Sequence, residues 1–275
     1  MTHRYYYYYQ RIFNMQRRFL NENRLNEKFI QSEKRMKEQL EIEKVILKNT
    51  EITQAHLTPE LKLHLLTTNC PLYHATTETT QSTNANSAME KIFFQDPFWS
   101  IYWPGGQVLT RFILDKGIKL LSNDNNDKSN LRVLDLGSGC GASAIAAKLV
   151  GARQVLANDI DPVACVAILM NAKLNNVDLR VSKENLIERK LNEQLFNVIL
   201  IGDLLYDEKI AEKLIPWLER SLKVGSQIYL GDPGRHPLTE DLKKRMSPIC
   251  KYALPENVKR ENYGFDTATV WRFIS

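Results

Sequence analysis

The sequence predicts an α/β protein whose mostly parallel, doubly wound sheet is closed by an antiparallel hairpin. Five short apolar runs bounded by turn residues read as buried parallel strands: LRVLDLG, QVLANDI, DLRVS, FNVILIGD and SQIYLGD. Helical patterns follow the first, second and fourth runs and complete the alternation of strand and helix, at Ala142–Val150, Pro162–Leu174 and Glu208–Ser221. Near the end of the chain, a short polar loop joins two strand-like runs, CKYALPENV and TATVWRFI, and this arrangement predicts the hairpin.

The residues before Asp96 predict a helical extension and a polar loop. Charged and apolar residues recur at helical spacing from Glu33 to Leu47. A second short helix is predicted in LTPELKLHLL, with Thr58 as its N-cap and Pro59 in its first turn. Residues 74–90 are rich in Thr, Ser and Asn and predict a flexible loop. We therefore divide the chain into residues 1–32, 33–95 and 96–275.

The first segment, residues 1–32, has the composition of a mitochondrial transit segment. No acidic residue precedes Glu22, whereas apolar residues are interspersed with four arginines: Arg4, Arg11, Arg17 and Arg18. A disordered extension without an address is the alternative, since the run Tyr5–Tyr9 and the lack of serine before Ser32 are atypical of such a segment. The transit interpretation predicts a mitochondrial location.

Composition and charge exclude several classes of function. The 275 residues are 43% hydrophobic and 25% charged, as in an ordinary globular protein. The sequence contains no run of about 18 apolar residues, so we expect no membrane partner. The four cysteines and five histidines are scattered, without C-x-x-C or H-E-x-x-H, so no metal site is expected. The net charge of +5 falls to about +1 without the four N-terminal arginines, so we expect no nucleic-acid partner.

A glycine-rich turn after the first strand predicts a cofactor site. In VLDLGSGCGAS, the turn contains Gly137, Ser138, Gly139 and Gly141, and glycines at a helix N-terminus let a ligand approach the backbone. The spacing also fits G-x-G-x-x-A, so a nicotinamide cofactor is a competing interpretation. Asp135 lies two places before the first glycine, where it would repel a pyrophosphate and attract an ammonium and a sulfonium. Asp135 therefore favours S-adenosylmethionine.

Polar residues also follow the later strands, where ligands bind in such sheets. Asp159, 18 residues after Gly141, has close to the spacing of an acidic residue that accepts both ribose hydroxyls. Asp161 precedes Pro162 and is expected to cap the next helix. Asn185, after the third strand, is placed either at the adenine edge or in a turn.

The end of the fourth strand completes the predicted rim of the site. It brings three residues of IGDLLYD to the carboxyl edge of the sheet: Gly202, Asp203 and Tyr206. Four successive strand ends with polar residues at one rim indicate a binding site more than a set of loop caps.

Several segments together resemble the seven-β-strand protein-lysine methyltransferases, in particular the mitochondrial group that modifies the beta subunit of electron transfer flavoprotein. They are DPFWSIYWPGGQVLTRFIL, VLDLGSGCGASAIAAK, VLANDIDPVA, IGDLLYDE and GDPGR, and the resemblance extends over residues 45–275. It implies a class I seven-β-strand methyltransferase fold, S-adenosylmethionine as methyl donor and protein lysine as acceptor. It also implies the beta subunit as protein partner and the mitochondrial matrix as the location.

The resemblance adds roles for individual residues. It implies that Trp103 lies against the cofactor, with a helix beginning near Val108, and that Asp203 and Tyr206 form a D-x-x-Y element. A carboxylate would steer a lysine but would raise the lysine pKa, so we assign Asp203 to positioning and Tyr206 to hydrogen bonding. Phe98 is assigned to the core. For Trp99 and Tyr102, both core and cleft remain open.

Three other functions compete with this interpretation. A ribosomal-protein methyltransferase of the same fold would differ only in its substrate. A DNA or RNA amino-methyltransferase is disfavoured, because the fourth strand ends in GDLLY and not in an N-P-P-Y-like element. A non-catalytic cofactor-binding or interaction module is the alternative outside enzymes. It is disfavoured by the intact glycine turn with Asp135 and Asp159.

Overall fold

The computed structural model describes residues 30–70, 73, 97–121, 131–188, 196–262 and 264–274. The chain divides into two compact units, Met1–Lys44 and Val45–Ser275. A helix over residues 30–49, α1, confirms the helix expected from Glu33 to Leu47. The loop predicted at 74–90 and nearly all of the predicted transit segment lie outside the described residues. Within the described ranges, no helix is long and apolar enough to cross a membrane.

A seven-stranded sheet forms the centre of the second unit and confirms the predicted α/β fold. Its strands are β3 Arg132–Leu136, β4 Gln154–Asn158, β5 Arg180–Ser182, β6 Val198–Gly202, β7 Gln227–Asp232, β8 Met246–Ala253 and β9 Thr267–Phe273. They lie in the order β5-β4-β3-β6-β7-β9-β8. The first five pair in parallel, and β9 pairs antiparallel with both β7 and β8. The predicted closing hairpin is thus confirmed.

Helices cover both faces of this sheet, and their ends follow from local sequence. They are α2 Pro104–Leu120, α3 Ala142–Leu149, α4 Pro162–Leu174, α5 Glu208–Lys223, α6 Glu240–Lys243 and α7 Glu256–Glu261. Asp161 caps α4 as predicted, because its side chain accepts a hydrogen bond from the Val163 N–H at 2.7 Å. Asp207 caps α5 in the same way through the Ile210 N–H.

Two apolar clusters pack against opposite faces of the strands. Alternate residues of one strand enter different clusters, as a period of two requires: Val133 belongs to one and Leu134 to the other. Strand β6 divides similarly, with Leu200 in the first cluster and Ile199 in the second. Because both faces of β3 and β6 are buried, their carboxyl ends are held rigidly at one rim of the sheet.

The second N-terminal helix was a wrong prediction. The segment LTPELKLHLL forms a turn and then strand β2, Leu63–Leu65, which pairs antiparallel with β1, Glu51–Thr53. The Thr58 hydroxyl does not cap a helix, because it lies 3.2 Å from both the Tyr102 hydroxyl and His56 Nδ1. The buried leucines Leu61, Leu63 and Leu65 recur every second residue, which is the strand signal that outweighs Thr58 and Pro59.

Two further boundaries differ from the prediction. Helix α7 lies between β8 and β9 where a short polar loop was expected, so Glu256–Val258 is helical, with Pro255 as the N-cap, and is not part of a strand. Helix α2 begins at Pro104 and not near Val108, with Trp103 as its N-cap. Proline fits the first helical position, since its missing N–H is unsatisfied there in any helix. The two glycines that follow are therefore helical, and they bring the start of α2 close to the ends of β6 and β7.

Candidate active site

A cleft of about 810 Å³ opens at the carboxyl ends of β3, β4 and β6. Seven of the predicted site residues line it: Trp103, Gly137, Gly139, Asp159, Asn185, Gly202 and Asp203. Tyr206 also lines it, with 53% of its surface exposed. The other predicted residues, Asp135, Ser138 and Gly141, do not line it. The sheet thus brings the predicted strand ends together, as the parallel topology requires.

Buried contacts beneath the cleft shape the glycine turn. Asp135 is buried and its Oδ2 accepts hydrogen bonds from the Ser138 hydroxyl and from the Ala144 N–H of α3. Burial raises the pKa of Asp135 to about 6, against the effect of these two donors. At Gly137, the backbone has φ +65°, and a Cβ would lie 2.6 Å from the Leu204 side chain. The turn therefore requires glycine at this position, and Asp135 fixes it to the start of α3.

Asp159 joins the glycine turn to the end of β4. Its Oδ2 accepts the Gly139 N–H at 2.9 Å, and its Oδ1 accepts the Asp161 N–H at 3.0 Å. Burial raises the pKa of Asp159, while these backbone donors oppose the rise. A carboxylate oxygen accepts more than one hydrogen bond, so both oxygens retain capacity for a ligand in the cleft.

Asn185 stabilises a turn, which was the alternative to a position at the adenine edge. Its Oδ1 accepts the Glu188 N–H at 3.3 Å, and the residue is exposed at the rim of the cleft. Glu188 in turn forms an ion pair with Lys213 of α5 at 2.7 Å, and both line the cleft. The pair is largely exposed, so its contribution to stability is small. The position of Asn185 remains compatible with a ligand contact.

Asp203 has the most constrained environment at the rim. It is buried, and its backbone is left-handed at φ 54°, a conformation that Asp adopts more readily than most residues. A Cβ on Gly202 would lie 2.8 Å from the Gly106 Cα, so glycine here lets the start of α2 approach. That approach brings the Gly106 N–H to 2.7 Å from Asp203 Oδ2. The predicted acceptor-side carboxylate is therefore anchored to a helix N-terminus.

Arg235 binds the other oxygen of the same carboxylate. Its Nε and Nη2 donate to Asp203 Oδ1 at 3.1 and 3.0 Å. Burial raises the pKa of Asp203 to about 7, Arg235 opposes this rise, and Asp232 adds to it. The Asp232 side chain lies at the end of β7, where its Oδ1 accepts the N–H groups of Gly234 and Arg235.

The aromatic segment before α2 forms one wall of the cleft. Assigning Phe98 to the core was wrong, because it is 54% exposed, lines the cleft and lies 6.3 Å from both the Trp103 and Tyr206 rings. Trp99 and Tyr102, which were left open, are both buried, and Trp99 also lines the cleft. Trp103 is partly exposed, and its Nε1 donates to the Phe98 carbonyl at 3.0 Å.

Sequence reasoning missed the two charged residues beside Asp203. Both come from GDPGR: Asp232 is the last residue of β7, the fifth parallel strand, and Arg235 lies in the turn after it. The rule that located the polar residues of the other four strand ends applies equally to this one. No group of three or more His, Cys, Asp or Glu side chains in the described part of the chain could hold a metal ion.

Comparisons with known proteins agree with this geometry. A family model described as lysine methyltransferase matches residues 98–247. The electron transfer flavoprotein beta subunit lysine methyltransferase of Xenopus laevis is 42% identical over 83% of this chain and 85% of its own length. The Homo sapiens protein of that name is 36% identical, over 85% and 82%. A ribosomal protein L11 methyltransferase of Caldicellulosiruptor saccharolyticus is 44% identical, but over 26% of this chain.

The seven-stranded sheet with its reversed last strand, the glycine turn and the family match define a class I, S-adenosylmethionine-dependent lysine methyltransferase. Within that class, the chain belongs to the electron transfer flavoprotein beta subunit lysine methyltransferase family.

Proposed function

We propose that this enzyme transfers methyl groups from S-adenosylmethionine to lysine side chains of the electron transfer flavoprotein beta subunit, in the mitochondrial matrix. The similarity to relatives of that name, over more than four fifths of both chains, carries the proposal. The ribosomal alternative has weaker support, because its similarity extends over about a quarter of this chain.

The cleft has the size and chemistry that the methyl donor requires. About 810 Å³ is within the range of small-molecule sites. Asp159 would accept hydrogen bonds from the ribose, and the Gly137–Gly139 turn would lie along the amino-acid part. Apolar side chains that suit an adenine ring line the same cleft: Ile160, Leu186 and Ile187. When bound, the donor supplies an electrophilic methyl group on a sulfonium.

The residues of this chain then have to present an amine and exclude water. Phe98 and Tyr206, whose rings lie 6.3 Å apart, form an aromatic rim through which an extended lysine side chain would enter. Asp203 lies on this side of the cleft, where its carboxylate would accept a hydrogen bond from the lysine nitrogen. A lysine ammonium, whose pKa in a solvated peptide is about 10.4, has to lose a proton before it can react, so alignment and deprotonation both control the rate.

The substrate proposal predicts a specific labelling pattern. We expect the full chain, incubated with methyl-labelled S-adenosylmethionine and the intact flavoprotein heterodimer, to label lysines of the beta subunit, as located by mass spectrometry. Ribosomal protein L11 in the same reaction should remain unlabelled, and an Asp159→Ala enzyme provides the negative control. Label on L11 alone would favour the ribosomal alternative. Failure to bind the donor in calorimetry would leave the non-catalytic module.

The location proposal predicts import through the N-terminal segment. A fluorescent fusion of residues 1–35 should enter mitochondria, because its first 21 residues carry arginines and no acidic residue, which is the composition of a transit segment. The matched control replaces the four arginines that precede Glu22 with glutamine, at Arg4, Arg11, Arg17 and Arg18, and should stay in the cytosol. A cytosolic signal from both the unchanged fusion and the full-length protein would contradict a matrix location.

A further inference from the structure

We propose that Arg235 is a positioning residue for methyl transfer, which orients the Asp203 carboxylate at the acceptor side of the cleft and favours its ionised form. The inference rests on the lysine-methylating function proposed above. It assigns a role in the reaction to a side chain that contacts the predicted D-x-x-Y element but is not part of it.

The geometry of the pair leaves the carboxylate little freedom. Arg235 donates through two nitrogens to one oxygen of Asp203, while the Gly106 N–H donates to the other. The side chains of Arg235 and Asp203 are only 15% and 6% exposed, so solvent screens their attraction weakly. Charge and orientation of Asp203 therefore depend on this one guanidinium and one backbone donor.

Arg235 is itself held on several sides. Its Cζ lies 5.3 Å from the centre of the Trp103 ring and 5.7 Å from that of Phe265. Asp232 accepts the Arg235 backbone N–H at 2.8 Å and so fixes the turn that carries the side chain. A cation between two aromatic rings is attracted by the negative face of each, and more strongly where water is excluded. Arg235 is thus a fixed part of the wall, and it does not leave to make room for a substrate.

The charges around Asp203 explain why a cation is needed there. Asp232 faces it from the end of β7 with a buried carboxylate whose Oδ2 has no hydrogen-bond partner among the described residues. The start of α2 contributes only the Gly106 N–H, and Tyr206 follows on the same loop as Asp203. Two neighbouring buried carboxylates without a cation do not both remain ionised, and one takes up a proton. Without Arg235, the Asp203 carboxyl would therefore keep its proton to a higher pH than it does beside the guanidinium.

The pairing also suits an amine that has to be deprotonated. A lone carboxylate would stabilise the lysine ammonium and keep its proton in place. In the Asp203–Arg235 pair, the opposite charges largely cancel at a distance, while a carboxylate oxygen still accepts a hydrogen bond from the amine. Arg235 would therefore let Asp203 orient the lysine nitrogen without strongly raising the lysine pKa.

A titration of the protein without substrate tests this inference. The protein is labelled with ¹³C-aspartate, and the NMR signal of the Asp203 carboxyl group is assigned by its absence in Asp203→Asn. The signal is then followed from about pH 5 to pH 9.5, a range that brackets the ionisation of a buried carboxyl group. In Arg235→Gln we expect its midpoint to rise by at least about one pH unit, because loss of a close opposite charge has that size of effect. Arg235→Lys, which keeps the charge, should restore most of the difference.

Arg245→Gln is the matched control, because Arg245 also stacks on an aromatic ring, Phe273 at 5.2 Å, and pairs with Glu219. It should leave the Asp203 midpoint unchanged. When the methyl-accepting protein is present, the acid limb of the pH profile of kcat/KM should shift to higher pH in Arg235→Gln. The shift should equal that of the midpoint of the Asp203 carboxyl signal.

An unchanged Asp203 midpoint in folded Arg235→Gln would overturn the proposal. If that variant does not fold, the proposal is tested in the wild-type protein, where the NMR signal of Arg235 Nε should shift with pH at the same midpoint as the Asp203 carboxyl signal. An Nε signal that does not respond to this titration would also overturn it. Because these spectra need no acceptor protein, failure of the flavoprotein as a substrate would be recognised separately.

Discussion

Replacing Asp159 by alanine should weaken binding of S-adenosylmethionine by at least tenfold. Hydrogen bonds from ribose hydroxyls to a charged acceptor contribute roughly 1.5–3 kcal/mol each, and about 1.4 kcal/mol corresponds to a factor of ten. The variant also removes the oxygen that accepts the Gly139 N–H, so the glycine turn loses its attachment to β4. Both effects act on the donor side of the cleft, and calorimetric titration of the purified protein measures them together.

Two variants separate these contributions from a general loss of stability. Asp159→Asn keeps one carbonyl oxygen, so its dissociation constant should lie between those of the wild type and the alanine variant. Asp207→Ala removes an aspartate that caps α5 and does not line the cleft. It should lower the free energy of unfolding by about 1 kcal/mol and leave donor affinity unchanged. An unaltered affinity in folded Asp159→Ala would refute the ribose role.

The parallel sheet could be predicted because each of its strands carries its own local signal. Runs such as FNVILIGD are apolar on both faces and bounded by polar turns, which a strand buried between helix layers requires. Helix α4 was predicted to the residue, since Asp161 and Pro162 define its start. Strand β2 was missed because Thr58 and Pro59 resemble a helix start and were given more weight than the alternation of the three leucines that follow, which the pairing with β1 bears out.

The site was predictable where it follows from topology and not where it follows from side-chain packing. Parallel strands end at one rim, so Asp159 and Asp203 could be placed together from the sequence alone. No sequence pattern shows that Asp135 is directed at the start of α3, or that Arg235 in the turn after β7 pairs with Asp203 after β6. Such contacts depend on how α2 and the loop after β7 approach the sheet. The exposure of Phe98 belongs to the same category.

Asp203→Asn should separate the acceptor side of the cleft from the donor side. Asparagine tolerates the left-handed backbone, but it leaves the buried guanidinium of Arg235 without a counter-ion, so stability should fall by about 3 kcal/mol. Per folded molecule, we expect turnover to fall by about a hundredfold while donor affinity changes less than about threefold, since the proposed partner of Asp203 is the lysine.

Trp103→Ala should have the opposite signature. It removes an aromatic face from the donor side of the cleft and should weaken donor binding by about 2 kcal/mol, or roughly thirtyfold in the dissociation constant, with a smaller effect on turnover at saturating donor. Trp103→Phe, which keeps a ring, provides the matched control and should be milder. Equal loss of donor binding in Asp203→Asn and Trp103→Ala would place Asp203 in the cofactor pocket. Normal binding per folded molecule in a destabilised Trp103→Ala would make this tryptophan a packing residue, whose partners are Phe98 and the Arg235 guanidinium.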